Sequence, residues 1–176
     1  MTFVPALPFT GYAGWTFLKR TAATQQAVLN AQPAAKRDEA YFREKIGTIN
    51  SAADLVADRR LLKVALGAFG LEADIDNKAF IRKVLEEGTL ADGALANRLA
   101  DKQYQKLSAA FGFGDFATPR NKLSDFADKL LSVYGARSFE VAVGNQNADL
   151  RLALNAEREL VELTGKTTAS NDARWY

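Results

Sequence analysis

Two related stretches limit most narrowly what this chain can fold into. The first is Ala57-Asp58-Arg59-Arg60-Leu61-Leu62-Lys63-Val64-Ala65-Leu66-Gly67-Ala68-Phe69-Gly70-Leu71, and the second is Ala100-Asp101-Lys102-Gln103-Tyr104-Gln105-Lys106-Leu107-Ser108-Ala109-Ala110-Phe111-Gly112-Phe113. Each reads as Ala-Asp, a basic residue, about three turns of amphipathic helix, then Ala-Phe-Gly and a large apolar residue. Leu62, Ala65, Leu66 and Phe69 share one helical stripe, as do Tyr104, Leu107 and Phe111. Gly70 and Gly112 stand where a helix takes a left-handed terminal residue, which a Cβ would penalise. The pair of stretches lies 43 residues apart, and Phe-x-x-Lys recurs at Phe42, Phe80 and Phe126 with spacings of 38 and 46. The pattern predicts an all-α fold, a compact multi-helix array of about 8–10 helices built from degenerate repeats of roughly 40 residues.

The remaining segments fill in the array. Residues 1–32 read as an apolar arm with Pro5 and Pro8, then a helix from Tyr12 to Ala31 with Trp15, Leu18, Ala22 and Leu29 on one face. That stripe is narrow, so packing alone supports the helix weakly. Residues 33–165 form the helical repeat domain and 166–176 a loose polar tail, with Trp175 and Tyr176 as its anchor. Pro33 opens a helix to about Ile46, Ser51 and Asp54 form a capping box, and Asp76 is expected to cap a helix ending at Glu87. A short helix is expected between Thr89 and Ala100, with Leu95 and Leu99 inward. Thr118-Pro119 predicts a helix with Leu123, Phe126 and Leu130 inward, ending at Gly135. Arg137–Val143 alternates like a strand but has nothing to pair with, so a short helix is preferred. A last helix runs from about Ala148 to Thr164, with Leu150, Ala153, Leu160 and Leu163 inward and Gly165 as its stop.

The chain has no Cys and no His, which removes thiolate and imidazole catalysis, disulfides and Cys or His metal ligands together. The formal charge of +2 demands no anionic partner. Residues 1–37 hold Lys19, Arg20, Lys36 and Arg37 without an acid, too few and scattered for a phosphate-binding stripe. Neither nucleic-acid binding nor membrane insertion is expected. The N-terminus does not read as a secretory signal, so a cytoplasmic location is expected, with signal-less export as the other route.

Other candidate chemistry is weak. Asp74-Ile75-Asp76-Asn77-Lys78 opens like a calcium loop but has Ala79 and Leu85 where Gly and Glu are needed. Gly165-Lys166-Thr167 resembles the end of a phosphate loop, but Leu160 stands where its first Gly belongs. Glu86, Glu87, Glu157, Glu159 and Glu162 sit beside cations on expected solvent faces, and Asp58 and Asp101 at helix starts. The sequence therefore nominates no catalytic residue, no metal ligand and no cofactor.

One cluster invites a functional reading. Phe9, Tyr12, Trp15, Phe17 and Leu18 stand among Gly11 and Gly14 and read in two ways, as partner-docking residues or as ordinary burial against the helical array. Phe9-Thr10-Gly11-Tyr12-Ala13-Gly14-Trp15-x-Phe17-Leu18-x-Arg20-Thr21, Tyr41-Phe42-Arg43-Glu44-Lys45-Ile46, the Asp58–Leu71 stretch and Asn77-Lys78-x-Phe80-Ile81-Arg82-Lys83-Val84-Leu85-Glu86 also belong together. In these motifs the chain resembles an alphaproteobacterial family, domain of unknown function twelve-seventeen, over about residues 9–163. The resemblance implies an all-helical protein often associated with flagellar genes, and it carries over no catalytic residue. The expected function is a non-enzymatic structural or interaction protein with a protein partner, a flagellar component being the implied one. The alternative is a small hydrolase or transferase using carboxylates.

Overall fold

A computed structural model of the protein describes residues 3–172, with side chains as far as residue 164; Trp175 and Tyr176 lie outside the described residues. Among the described residues there are nine α-helices and no strand, so the chain is all-α. The helices are α1 (Gly11–Asn30), α2 (Pro33–Lys45), α3 (Ala52–Ala57), α4 (Arg59–Phe69), α5 (Lys78–Glu87), α6 (Leu95–Arg98), α7 (Gln103–Phe111), α8 (Phe126–Gly144) and α9 (Ala148–Asp172). They divide into two units, one spanning Asn30–Ser138 and the other joining Met1–Leu29 to Phe139–Tyr176. This partition cuts across the expected boundaries at 32 and 165.

In the larger unit α4 is the central helix, packed against α2, α3 and α7. Its start and stop follow from the sequence. Asp58 accepts from the backbone N–H groups of Arg60 and Leu61 at 2.9 and 3.0 Å, and Tyr41 of α2 donates its hydroxyl to the other carboxylate oxygen at 2.7 Å. Gly70 takes φ 71°, and Leu71 donates its N–H back to Leu66 O at 2.9 Å while burying its side chain. Burial is broader than the expected stripe: Leu61, Leu62, Val64, Ala65, Leu66 and Ala68 are all buried, whereas Phe69 is half-buried. The helix is surrounded on most sides, and Arg59, Arg60 and Lys63 hold its one narrow solvent face.

Upstream, the capping box forms as expected. Ser51 Oγ accepts from the Asp54 N–H at 3.1 Å, and Asp54 accepts from the Ser51 N–H at 3.0 Å. The second stretch forms α7, where Asp101 accepts from the Gln103 N–H and Gly112 closes the helix at φ 66°. Between those ends α7 buries only Leu107, Ser108 and Phe111, so its likeness to α4 lies in an aspartate bonded to the first turn and in the glycine stop. Phe111 and Phe126 meet edge-on, with ring centroids 5.1 Å apart.

Four expected elements are corrected. Asp76 does not cap α5: Asn77 occupies the cap position, and Asp76 pairs with Arg59 at 2.6 Å. The Thr89–Ala100 segment is helical only over Leu95–Arg98, where Ala94 and Ala96 are buried and Leu95 and Leu99 half-buried. Pro119 leads into a 3-10 turn, Arg120–Lys122; Leu123 is exposed, and α8 starts at Phe126, passes through Gly135 and takes in the whole 137–143 segment. Finally α9 runs through Gly165 to Asp172, so residues 166–172 are helical rather than a loose tail.

The 3-10 turn after Pro119 has its own task in the larger unit. It brings Asn121, 2% exposed, against the turn Ile46–Thr48, where its amide donates to Ile46 O and Ile49 O, both at 2.8 Å. Lys122 beside it donates to Gly47 O and Asn50 Oδ1.

The smaller unit has its own core of Leu18, Phe139, Val143 and Leu150, with Trp15, Ala22, Leu29 and Leu154 packed against it. The expected stripe on α1 is therefore its inward face. Buried Glu140 of α8 accepts from Arg158 Nε of α9 at 2.9 Å, and both side chains are largely removed from water. On α9 Leu150 is buried, but Leu160 and Leu163 point to solvent, contrary to the expected stripe.

Candidate functional site

The arm that precedes α1 is fixed rather than loose. The Ala6 N–H donates to Gln25 Oε1 at 2.7 Å, Gln25 Nε2 donates to Ala6 O at 3.2 Å, and Gln146 Nε2 donates to Pro5 O at 2.7 Å. Gln25, outside the apolar stripe of α1, thus supplies both a donor and an acceptor to the arm. Gly14 lets the arm come close: a Cβ there would lie 2.4 Å from Phe9 O. Only glycine tolerates that approach.

The five expected docking residues do not share one environment. Leu18 is fully buried and belongs to the core of its unit. Trp15 is half-buried against that core, with the Lys19 ammonium 5.5 Å from its ring centroid, and Lys19 also pairs with Glu157. Phe17 is half-buried and meets Phe9 edge-on at 6.0 Å, while Phe9 is 53% and Tyr12 85% exposed. The surface at the head of α1 therefore consists of Phe9, Tyr12 and the outer part of Phe17. Trp15 and Leu18 are its support.

Four of the five glutamates weighed for catalysis have structural occupations. Glu86 pairs with Arg82 at 2.6 Å, Glu87 accepts from the Leu95 N–H at 2.6 Å, Glu157 pairs with Lys19, and Glu162 lies 3.6 Å from Arg158. Asp74 accepts from Asn77 and from the Tyr104 hydroxyl, which, with burial as the larger cause, raises the Tyr104 pKa to about 12. Burial pushes Asp58 up, but the Tyr41 hydroxyl and two backbone N–H groups outweigh it and hold the carboxyl below the usual range. Among the described residues no cluster of three or more acidic side chains could hold a metal ion, and no helix is long and apolar enough to cross a membrane.

Asp115 escaped sequence reasoning, because its partners lie 25 and 26 residues away. It accepts from the N–H and hydroxyl of Thr89 and from the Leu90 N–H, at 2.6, 2.8 and 3.0 Å. Burial pushes its carboxyl up, yet these donors hold it below the usual carboxylate range. A carboxyl lowered in the fold contributes stability above its unfolded value and loses it as the pH falls through the folded value. Asp115→Asn is expected to cost on the order of 1–2 kcal/mol at pH 7. The gap to the parent should close as the pH falls through the folded value of this carboxyl, as read by urea unfolding at several pH values.

The comparisons with known proteins agree with the helical architecture. A crystal structure of a protein from Agrobacterium tumefaciens is similar with a TM-score of 0.78 and 32% identity, covering 89% of this chain and 68% of that one. No curated protein matches the chain. The model of the family described as protein of unknown function (DUF1217) matches residues 68–170, from the end of α4 into α9. That span is more than half of the 176 residues, and the chain belongs to the DUF1217 family.

Proposed function

We propose that this protein is a non-enzymatic helical interaction protein with a structural or assembly role at the flagellum. Its working surface is the head of α1, where Phe9, at the end of an arm already held by Gln25 and Gln146, and Tyr12, in the first turn of the helix, stand exposed. That observation carries the proposal. A surface ordered before binding loses little conformational freedom on association, and exposed aromatic rings give the most contact area per immobilised side chain. The occupations of the acidic residues support the non-enzymatic side: among the described residues, the carboxyls of Glu44, Asp54, Asp58, Asp76, Asp115 and Asp125 are lowered, the state of an ion-pair or cap partner rather than a general acid.

The flagellar part of the proposal rests on the family resemblance. It fits a cytoplasmic assembly factor and also a part exported without a cleaved signal through the flagellar apparatus. Deleting the gene in the source organism is expected to reduce swimming and flagellar number, and affinity purification should recover a flagellar protein. Normal motility without such a protein among the recovered partners would overturn it.

A further inference from the structure

The second exposed apolar feature lies on α9. Leu152, Leu160 and Leu163 are 65%, 61% and 59% exposed, and Ala156 between them is exposed as well. At 100° per residue these four positions fall within about 80° of one another, forming a continuous outward stripe about 16 Å long. Along its first turns the inner face of the same helix is committed, through Leu150 and Leu154, to the core of the unit; from residue 159 to 164 the helix is exposed all round, Val161 on the inner side included at 65%. Leu152 on the outer side of the packed part, and Leu160 and Leu163 beyond it, are leucines that a helix covering only its own domain does not need.

We infer that α9 pairs with α9 of a second copy of this chain, antiparallel, along this stripe. The stripe is self-complementary in that direction. With the two-fold axis close to residue 158, Leu152 of one copy meets Leu163 of the other, and Ala156 receives Leu160. Each small residue thus faces a large one, as interdigitated helix packing requires. The charges agree. Arg151 and Glu162 lie within about 20° of each other on one flank of the stripe. Antiparallel pairing carries Arg151 of each copy towards Glu162 of the other, twice per dimer. Parallel pairing would set Arg151, Glu159 and Glu162 level with their own copies and align the two helix dipoles.

The contact buries on the order of 1,000 Å² in total, the low end for a specific interface. Pairing is accordingly reversible, with a dissociation constant on the order of 10 µM.

Sedimentation equilibrium of the purified full chain across 1–500 µM (roughly tenfold below to fiftyfold above that constant) tests the inference. A monomer–dimer equilibrium is expected, weakened at least about tenfold by Leu160→Glu. The melting temperature of dilute protein should stay unchanged, since Leu160 is exposed. Direction is tested with cysteines, because the chain has none of its own. In a mixture of Leu152→Cys and Leu163→Cys chains, a short thiol cross-linker should join unlike chains, and neither variant alone should cross-link efficiently. A monomer throughout the range, a dimer indifferent to Leu160→Glu, or cross-linking of like chains only would each overturn the inference. The first of these would assign the stripe to another segment or to a different protein.

Discussion

Asn121→Asp is expected to destabilise the protein by about 3–5 kcal/mol, a large share of a typical folding free energy. The native amide donates to two backbone carbonyls, Ile46 O and Ile49 O, in a site only 2% exposed. A carboxylate has no proton to give. It turns a negative charge on the same two oxygens, with water excluded. Lys122 gives little relief, being engaged with Gly47 O and Asn50 Oδ1. The variant's carboxyl should titrate well above the ordinary range, because burial and the facing carbonyls both disfavour its charge. Its deficit relative to the parent should therefore shrink on acidification, as the protonated acid regains one donation. Asn121→Ala, which leaves two carbonyls unsatisfied without adding charge, is expected to cost about 1–3 kcal/mol. Urea unfolding at pH 7 and pH 5 checks both. Equal stability of Asn121→Asp and the parent at pH 7 would show that the turn after Pro119 does not anchor the larger unit.

Glu140→Ala is the second large effect. It strips Arg158, whose side chain is 18% exposed, of its buried partner and leaves it Asn155 and the more exposed Glu162. Removing one member of a buried pair costs about 3–5 kcal/mol, and the remaining contacts place this case near 3. Replacing both partners by apolar side chains of similar size removes the stranded charge. Glu140→Met with Arg158→Met should therefore recover most of the loss, although it removes the interaction altogether. Thermal unfolding of the two single variants and the double variant gives the coupling. Additive losses would mean that the pair is solvated in solution.

Local signals were legible wherever the physics is local. The Ser51/Asp54 box, the Asp58 cap and the Gly70 stop each involve groups within a few residues, and each forms as the sequence predicts. Three of the failures share one cause, a tertiary partner that outweighs a local preference. Gly135 has the look of a helix stop, but a Cβ there would come within 3.0 Å of the Asn30 amide, so the glycine makes room for a neighbour and α8 continues. Asp76 looks like a cap and instead holds Arg59. Thr118-Pro119 looks like a helix start, but Pro119 is extended at ψ 150°, and the turn behind it serves Asn121.

The candidate surface was half legible. Aromatics among glycines pointed to residues 9–18, yet periodicity already placed Trp15 and Leu18 on the inward stripe of α1, and the structure keeps them there. What the sequence could not supply was the contribution of Gln25 and Gln146. They turn an apolar arm into a fixed one, through hydrogen bonds 19 and 141 residues apart in the chain.

The most direct measurement of the central claim is motility in a deletion strain complemented with the Tyr12→Ala, Phe9→Ala double variant at parental protein level, paired with the variant's melting temperature. Both side chains are exposed, so the melting temperature should fall by no more than about 2 °C, while swimming stays as poor as in the deletion. Full swimming by the complemented strain, with the deletion itself impaired, would contradict the account: the protein would matter, and the head of α1 would not be the surface through which it acts.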